Sequence, residues 1–145
     1  MHLDCSWLSV ALLGAVAACG EPAGEEVVWE LQPAMISFYG DSSIHVPDTA
    51  SVGAPLLVRV TSYGGGCVRG GITRTTTQGL VAIVEPLDSV VVRQPPNRDC
   101  TLELGEYVHS ATVQFGVTGT AAVRILGRHN GSTQVFTSER AVQVR

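Results

Sequence analysis

The segment YVHSATVQF, residues 107–115, alternates small or apolar side chains with polar ones: Ala111, Val113 and Phe115 fall on one side, Thr112 and Gln114 on the other. A period of two marks a half-buried β-strand. Shortly after it, Ala121, Val123 and Ile125 repeat the pattern against Ala122 and Arg124. His129-Asn130-Gly131 then carries the turn chemistry for a hairpin, because Asn-Gly accepts the positive φ angles of a tight reversal. The return strand is expected from Thr133 to Val144.

Working outward, the same signal recurs upstream. Leu56, Val58 and Val60 share one face of a strand from Leu56 to Tyr63, with Arg59 and Thr61 on the other. Gly64-Gly65-Gly66 ends it. Further strands are expected at Met35–Tyr39, Ile44–Val46, Val68–Thr76, Leu80–Val84 and Val90–Arg93, the last two separated by a break at Glu85-Pro86-Leu87-Asp88. Pro95-Pro96-Asn97-Arg98-Asp99 reads as a loop. No apolar periodicity of 3.6 residues follows the N-terminal segment. The chain is therefore expected to be all-β, a single antiparallel sandwich of about 7–9 short strands.

The 145 residues have room for one domain with its own core. A net charge of −4 without a basic cluster argues against a nucleic-acid partner. All nine basic side chains are Arg, so no lysine is present for Schiff-base or P-loop chemistry.

Trp7 to Ala18 is an apolar run too short to span a bilayer. Val16-Ala17-Ala18-Cys19 at its end resembles the lipobox of bacterial lipoproteins. The resemblance implies cleavage before Cys19, diacylglycerol on the Cys19 thiol and acylation of the new amino terminus. Several acyl chains together give stable anchoring, where one gives only marginal binding. The stretch Met1-His2-Leu3-Asp4 departs from the family in lacking a basic residue before the apolar run. Gly20 carries no retention signal of the Asp type, which in that family implies an outer-membrane destination, facing the periplasm or the cell surface. The expected organisation is a signal peptide at 1–18, the lipidated cysteine and a flexible tether at 19–33, and the sandwich at 34–145.

Two stretches resemble bacterial immunoglobulin-like domains: Ser43 to Tyr63, with Val46-Pro47-Asp48-Thr49-Ala50 and Gly53-Ala54-Pro55-Leu56, and the late segment Gly119 to Arg124. The resemblance implies an immunoglobulin-like sandwich over roughly 43–144. The core Trp usual in that fold is absent, Trp29 coming too early.

With Cys5 in the signal peptide and Cys19 lipidated, Cys67 and Cys100 remain as an even pair, the situation that favours a disulfide in an oxidising compartment. The alternative is a soft-metal or redox site made by Cys67, Cys100 and His109, with Met35 as a further ligand. Against it stand the absence of a C-x-x-C pair and a Cys100-to-His109 interval foreign to copper sites. On a strand, His109 shares a face with Ala111 and Val113, where a lone histidine is usually a satisfied core or edge residue.

Asp41, Ser43 and His45 alternate on one short segment, which aims them alike without bringing every pair to hydrogen-bond distance. No G-x-S-x-G elbow occurs, and the glycine run at 64–66 is followed by neither Lys-Ser/Thr nor a helix. Glu25/Glu26 and Glu103/Glu106 lie in the tether and in a loop, without the fixed cleft that glycosidase carboxylates need. Thr75-Thr76-Thr77 with Arg69, Arg74, Arg93 and Arg124 offers an exposed face for a glycan or protein. The expectation is a non-enzymatic, cofactor-free envelope lipoprotein, held to the membrane through Cys19. It would present its loops at Gly64–Cys67 and Gln94–Cys100 to an envelope protein or glycan, or dock as a subunit of a larger assembly through a sheet edge.

Overall fold

The computed structural model describes residues 26–37, 43–96 and 98–145. Ten strands are present among them: β1 (Val28–Pro33), β2 (Met35–Ser37), β3 (Ile44–His45), β4 (Thr49–Ala50), β5 (Pro55–Gly64), β6 (Val68–Gln78), β7 (Val81–Arg93), β8 (Gly105–Gln114), β9 (Gly119–His129) and β10 (Val135–Val144). The chain is all-β and forms two sheets, as the alternating patterns require. The smaller sheet runs β3-β5-β8, and the larger one is built on β1-β7-β9-β10-β4, with β2 joined to β9 and β6 to β7.

The inward rows match the period-two reading. Leu56, Val58 and Val60 of β5 meet Ala111 and Val113 of β8 and the adjacent Phe115. From the facing sheet come Ala82 and Val84 of β7, Ala121, Val123 and Ile125 of β9, and Val142 and Val144 of β10. Ala34 and Ile36 complete this core.

Strand β7 departs most from the sequence reading. The expected break at Glu85-Pro86-Leu87-Asp88 is absent, and thirteen residues run as one strand. Over Val81–Val84, β7 pairs in parallel with Ala122–Ile125 of β9. From Leu87 onward it pairs antiparallel with β1 instead. Pro86 stands at this change of partner, where a missing ladder donor costs least, and its carbonyl accepts from Ala34 N at 3.0 Å. On its other side β7 keeps β6 from Val81 to Val90, with a register shift between Gly70 and Ile72. A Cβ on Gly71 would stand 2.3 Å from the Leu87 carbonyl oxygen, so only glycine lets the bulge lie this close.

The tether expected to reach residue 33 ends sooner. Sheet pairing begins at Val28, opposite Arg93, and Trp29 is covered by the Arg69 guanidinium 4.0 Å from its ring. The expected strand Met35–Tyr39 is described only as far as Ser37, and Asp41 also lies outside the described residues. The turn after His129 is a five-residue connection, 130–134, with Gly131 at φ 72°.

Replacing Ile125, which is fully buried, with Ala removes side-chain volume from the centre of this core. Ile125→Ala should lower the unfolding free energy by about 2–5 kcal/mol, read from the urea midpoint at unchanged m-value.

Candidate functional site

Two polar features are candidates. The first lies inside the sandwich. The inward rows of three strands turn polar at the same end: Ser62 follows Val60 on β5, His109 precedes Ala111 on β8, and Asp88 continues Val84 and Pro86 on β7. Ser62, His109 and Asp88 are 0, 4 and 1% exposed. His109 Nε2 lies 2.9 Å from Asp88 Oδ1 and 3.0 Å from Ser62 Oγ. Its Nδ1 lies 3.4 Å from Thr73 Oγ1 on β6.

The residue types are those of a nucleophilic triad, but the connectivity is not. A triad needs the carboxylate on one ring nitrogen and the hydroxyl on the other, so that the free nitrogen can take the nucleophile's proton. Here Asp88 and Ser62 share Nε2. The tautomer that satisfies the most partners donates Nε2–H to the Asp88 carboxylate and lets Nδ1 accept from the Thr73 hydroxyl. Ser62 Oγ then faces no free lone pair on the ring. The cluster is a cross-tie between the sheets, since its members come from β5 and β8 on one side and β6 and β7 on the other. Asp88 Oδ2 is buried without a hydrogen-bond partner among the described residues, so this carboxylate depends on His109 for its compensation.

The second candidate is the loop cluster at that same end. Cys67 and Cys100 face each other at disulfide distance, with Cα atoms 5.1 Å apart. Gln94 Oε1 lies 3.4 and 3.8 Å from their two sulfurs. Gly66 N donates to Thr101 O at 3.0 Å. A Cβ on Gly66 would stand 2.1 Å from Thr101 Oγ1, so the two loops touch because that position is glycine. Tyr107 donates its hydroxyl to the Val68 carbonyl at 2.6 Å and thereby pins β8 to the start of β6. Between these groups is an open pocket of 190 Å³ walled by Gly65, Gly66, Thr101, Glu103, Leu104, Gly105 and Tyr107.

The sites expected from sequence separate accordingly. Cys67 and Cys100 come together. His109 does not join them: its ring partners are Ser62, Thr73 and Asp88. Among the described residues no group of three or more His, Cys, Asp or Glu side chains is placed to hold a metal. Ser43 donates its hydroxyl to the Ile36 carbonyl, and His45 lies exposed on β3. Arg69, Arg74 and Arg124 share the outer face of the larger sheet, opposite Ser89 and Glu85 and beside Ile83, and each has a local partner there. Arg69 covers Trp29, Arg74 sits 3.8 Å from its cross-strand partner Glu85, and Arg124 sits 2.8 Å from Glu139. Both ion pairs are solvated and contribute little. Cys19 lies outside the described residues.

No protein-family model, curated protein or solved structure matches this chain.

The cross-tie makes its own prediction. Asp88→Leu alone takes the carboxylate from His109 Nε2 and leaves the buried ring only Ser62 and Thr73, whereas Asp88→Leu with His109→Leu removes both members of the pair. The single variant should be the less stable of the two, with a coupling of about 0.5–3 kcal/mol in a denaturation double-mutant cycle.

Proposed function

We propose that this protein is a non-enzymatic, membrane-anchored envelope lipoprotein whose β-sandwich serves as an interaction or structural module. The observation carrying this reading is the burial of Ser62, His109 and Asp88. These acid-base and nucleophilic side chains, which the fold does bring together, tie the sheets and are almost wholly buried. The lipobox-like Val16-Ala17-Ala18-Cys19 supplies the anchor in this reading, with the outer membrane as destination.

The finer immunoglobulin-like assignment belongs to the same proposal. It is supported by the segment 44–50, which changes sheets: β3 runs antiparallel to β5, and β4 runs parallel to β10. The parallel pairing of β7 with β9 lies outside the antiparallel immunoglobulin pattern and makes this a variant of it.

In an oxidising envelope Cys67 and Cys100 form a covalent bridge. Closing a loop of 100 − 67 = 33 residues contributes about 3–4 kcal/mol in the chain-entropy model. Cys67→Ser with Cys100→Ser should therefore lower stability by about that amount.

A second reading, a subunit docked through a sheet edge, is favoured by β6. This strand is eleven residues long, mostly exposed, and among the described residues pairs only with β7. A long edge accepts a further strand.

Intact mass of the protein from native membranes, with and without reduction and alkylation, tests the main reading. The expected result is loss of residues 1–18, added acyl mass, and two thiols that appear only after reduction. An unacylated amino terminus would overturn the anchor, and free thiols before reduction would overturn the bridge. Gel filtration after detergent removal tests the second: an assembly keeps a large size, and a monomer removes the case for edge docking.

A further inference from the structure

The place where the chain enters the sandwich determines which end of the domain lies nearest its anchor. Val28 pairs with Arg93, Val91 N donates to Cys67 O at 2.9 Å, and Cys67 lies against Cys100. The entry point and the bridged loops therefore share one end. The C-terminus lies at the other, where Arg145 O accepts from Val52 N and Phe115 O from Gly53 N.

From Cys19 to Val28 is 28 − 19 = 9 residues, which span at most about 30 Å when fully extended. The ten residues of β8 cover about 33 Å along the sandwich. The connection is thus no longer than the domain, too short to double back and lay the far end on the bilayer.

The near end carries a feature that suits a bilayer. Leu102 is 101% exposed and Leu104 is 43% exposed. The short loop that holds them is fixed on both sides, by the Gly66 N bond to Thr101 O and by the pairing of Gly105 with Gly64. Two leucines held close together on the tip of a pinned loop present a small apolar surface that a bilayer can take up once the domain is held against it. Trp29, with Arg69 over its ring, stands at the same end and is suited to the headgroup layer.

Resting on the Cys19 anchor proposed above, we infer that the bridged-loop end of the sandwich sits on the lipid surface, with Leu102 and Leu104 entering it. Two leucines bind a bilayer weakly by themselves. The anchor makes their insertion intramolecular, and so effective. Glu103 stands between them and Asp99 just before, while Arg69, Arg93 and Arg98 lie at the same end. With both signs present, the surface that fits is zwitterionic. The loops expected from sequence to meet a partner are then turned toward the membrane. The far end and the exposed strand β6 are left for partners.

The test uses the full lipidated chain reconstituted in phosphatidylcholine–phosphatidylethanolamine vesicles containing bromolipid. Leu102→Trp is made in a Trp29→Phe background, and Leu57→Trp, on the outer face of β5, serves as control. Intact mass on the same samples reports acylation and the loss of residues 1–18, which carry Trp7. The expected result is a blue-shifted emission for Trp at 102, with quenching several-fold stronger than for Trp at 57. In the unsubstituted chain, amide exchange over 101–104 should slow on vesicles relative to detergent. An acylated protein whose Trp at 102 is quenched no more than the control overturns this inference and leaves the anchor standing. An unacylated protein overturns the anchor and the inference together.

Discussion

The architecture turns on the exchange of neighbours along β7 at Pro86. Below it, β7 lies beside β9 in parallel and contributes Ala82 and Val84 to the main core. Above it, β9 is replaced by β1, and β7 carries Asp88 inward to His109 while Leu87 is buried on the other face, opposite Pro33 of β1 and Ile72 of β6. The exchange gives β1 a strand to pair with, while β6 stays beside β7 past Pro86 and carries Cys67 to the same end as Asp88. The proline tolerates the exchange because its nitrogen has no hydrogen to leave unpaired.

Much of the fold was legible because the sheets read as strict alternation. Val58, Val60, Val113 and Ile125 fall on buried faces for the same reason that Arg59 and Thr112 do not: a strand aims successive side chains to opposite sides. Local reading failed where the partner decided the matter. Pro86 looks like a terminator by its own chemistry, and only β6 alongside makes it part of a continuous strand. Trp29 and Leu31 carried too few alternating neighbours to separate a strand from a tether, and β7 supplies the pairing that defines β1. The parallel pairing of β7 with β9 leaves no local mark, since it depends on how two distant segments lie together.

The polar interior shows the same division. His109 was legible as a core histidine from its face-sharing with Ala111 and Val113. Its partners were not, because Asp88 stood in an expected break and Ser62 followed a run of apolar residues with nothing to mark it. One signal did exist: extending the inward rows of β5, β7 and β8 by one step each gives Ser, Asp and His at a common level. Such a tier costs desolvation and is retained where polar groups compensate one another. Here Asp88 Oδ1 and His109 do so, while Asp88 Oδ2 has no hydrogen-bond partner among the described residues. The bridged loops were legible from the cysteine count, whereas their contact through Gly66 and Thr101 required the three-dimensional register.

That the described chain enters at one end of the sandwich and leaves at the other also has a mechanical meaning. A pull on Val28 away from the domain draws β1 along its own axis. Its ladder bonds to β7 run across that axis, so the register from Val28 to Pro33 is loaded in shear, with the bonds sharing the force. A strand entered from the opposite end would be peeled one bond at a time. A domain fixed by its first strand and pulled by whatever grips its far side thus resists tension through the geometry of its entry, independently of how deep its core is packed.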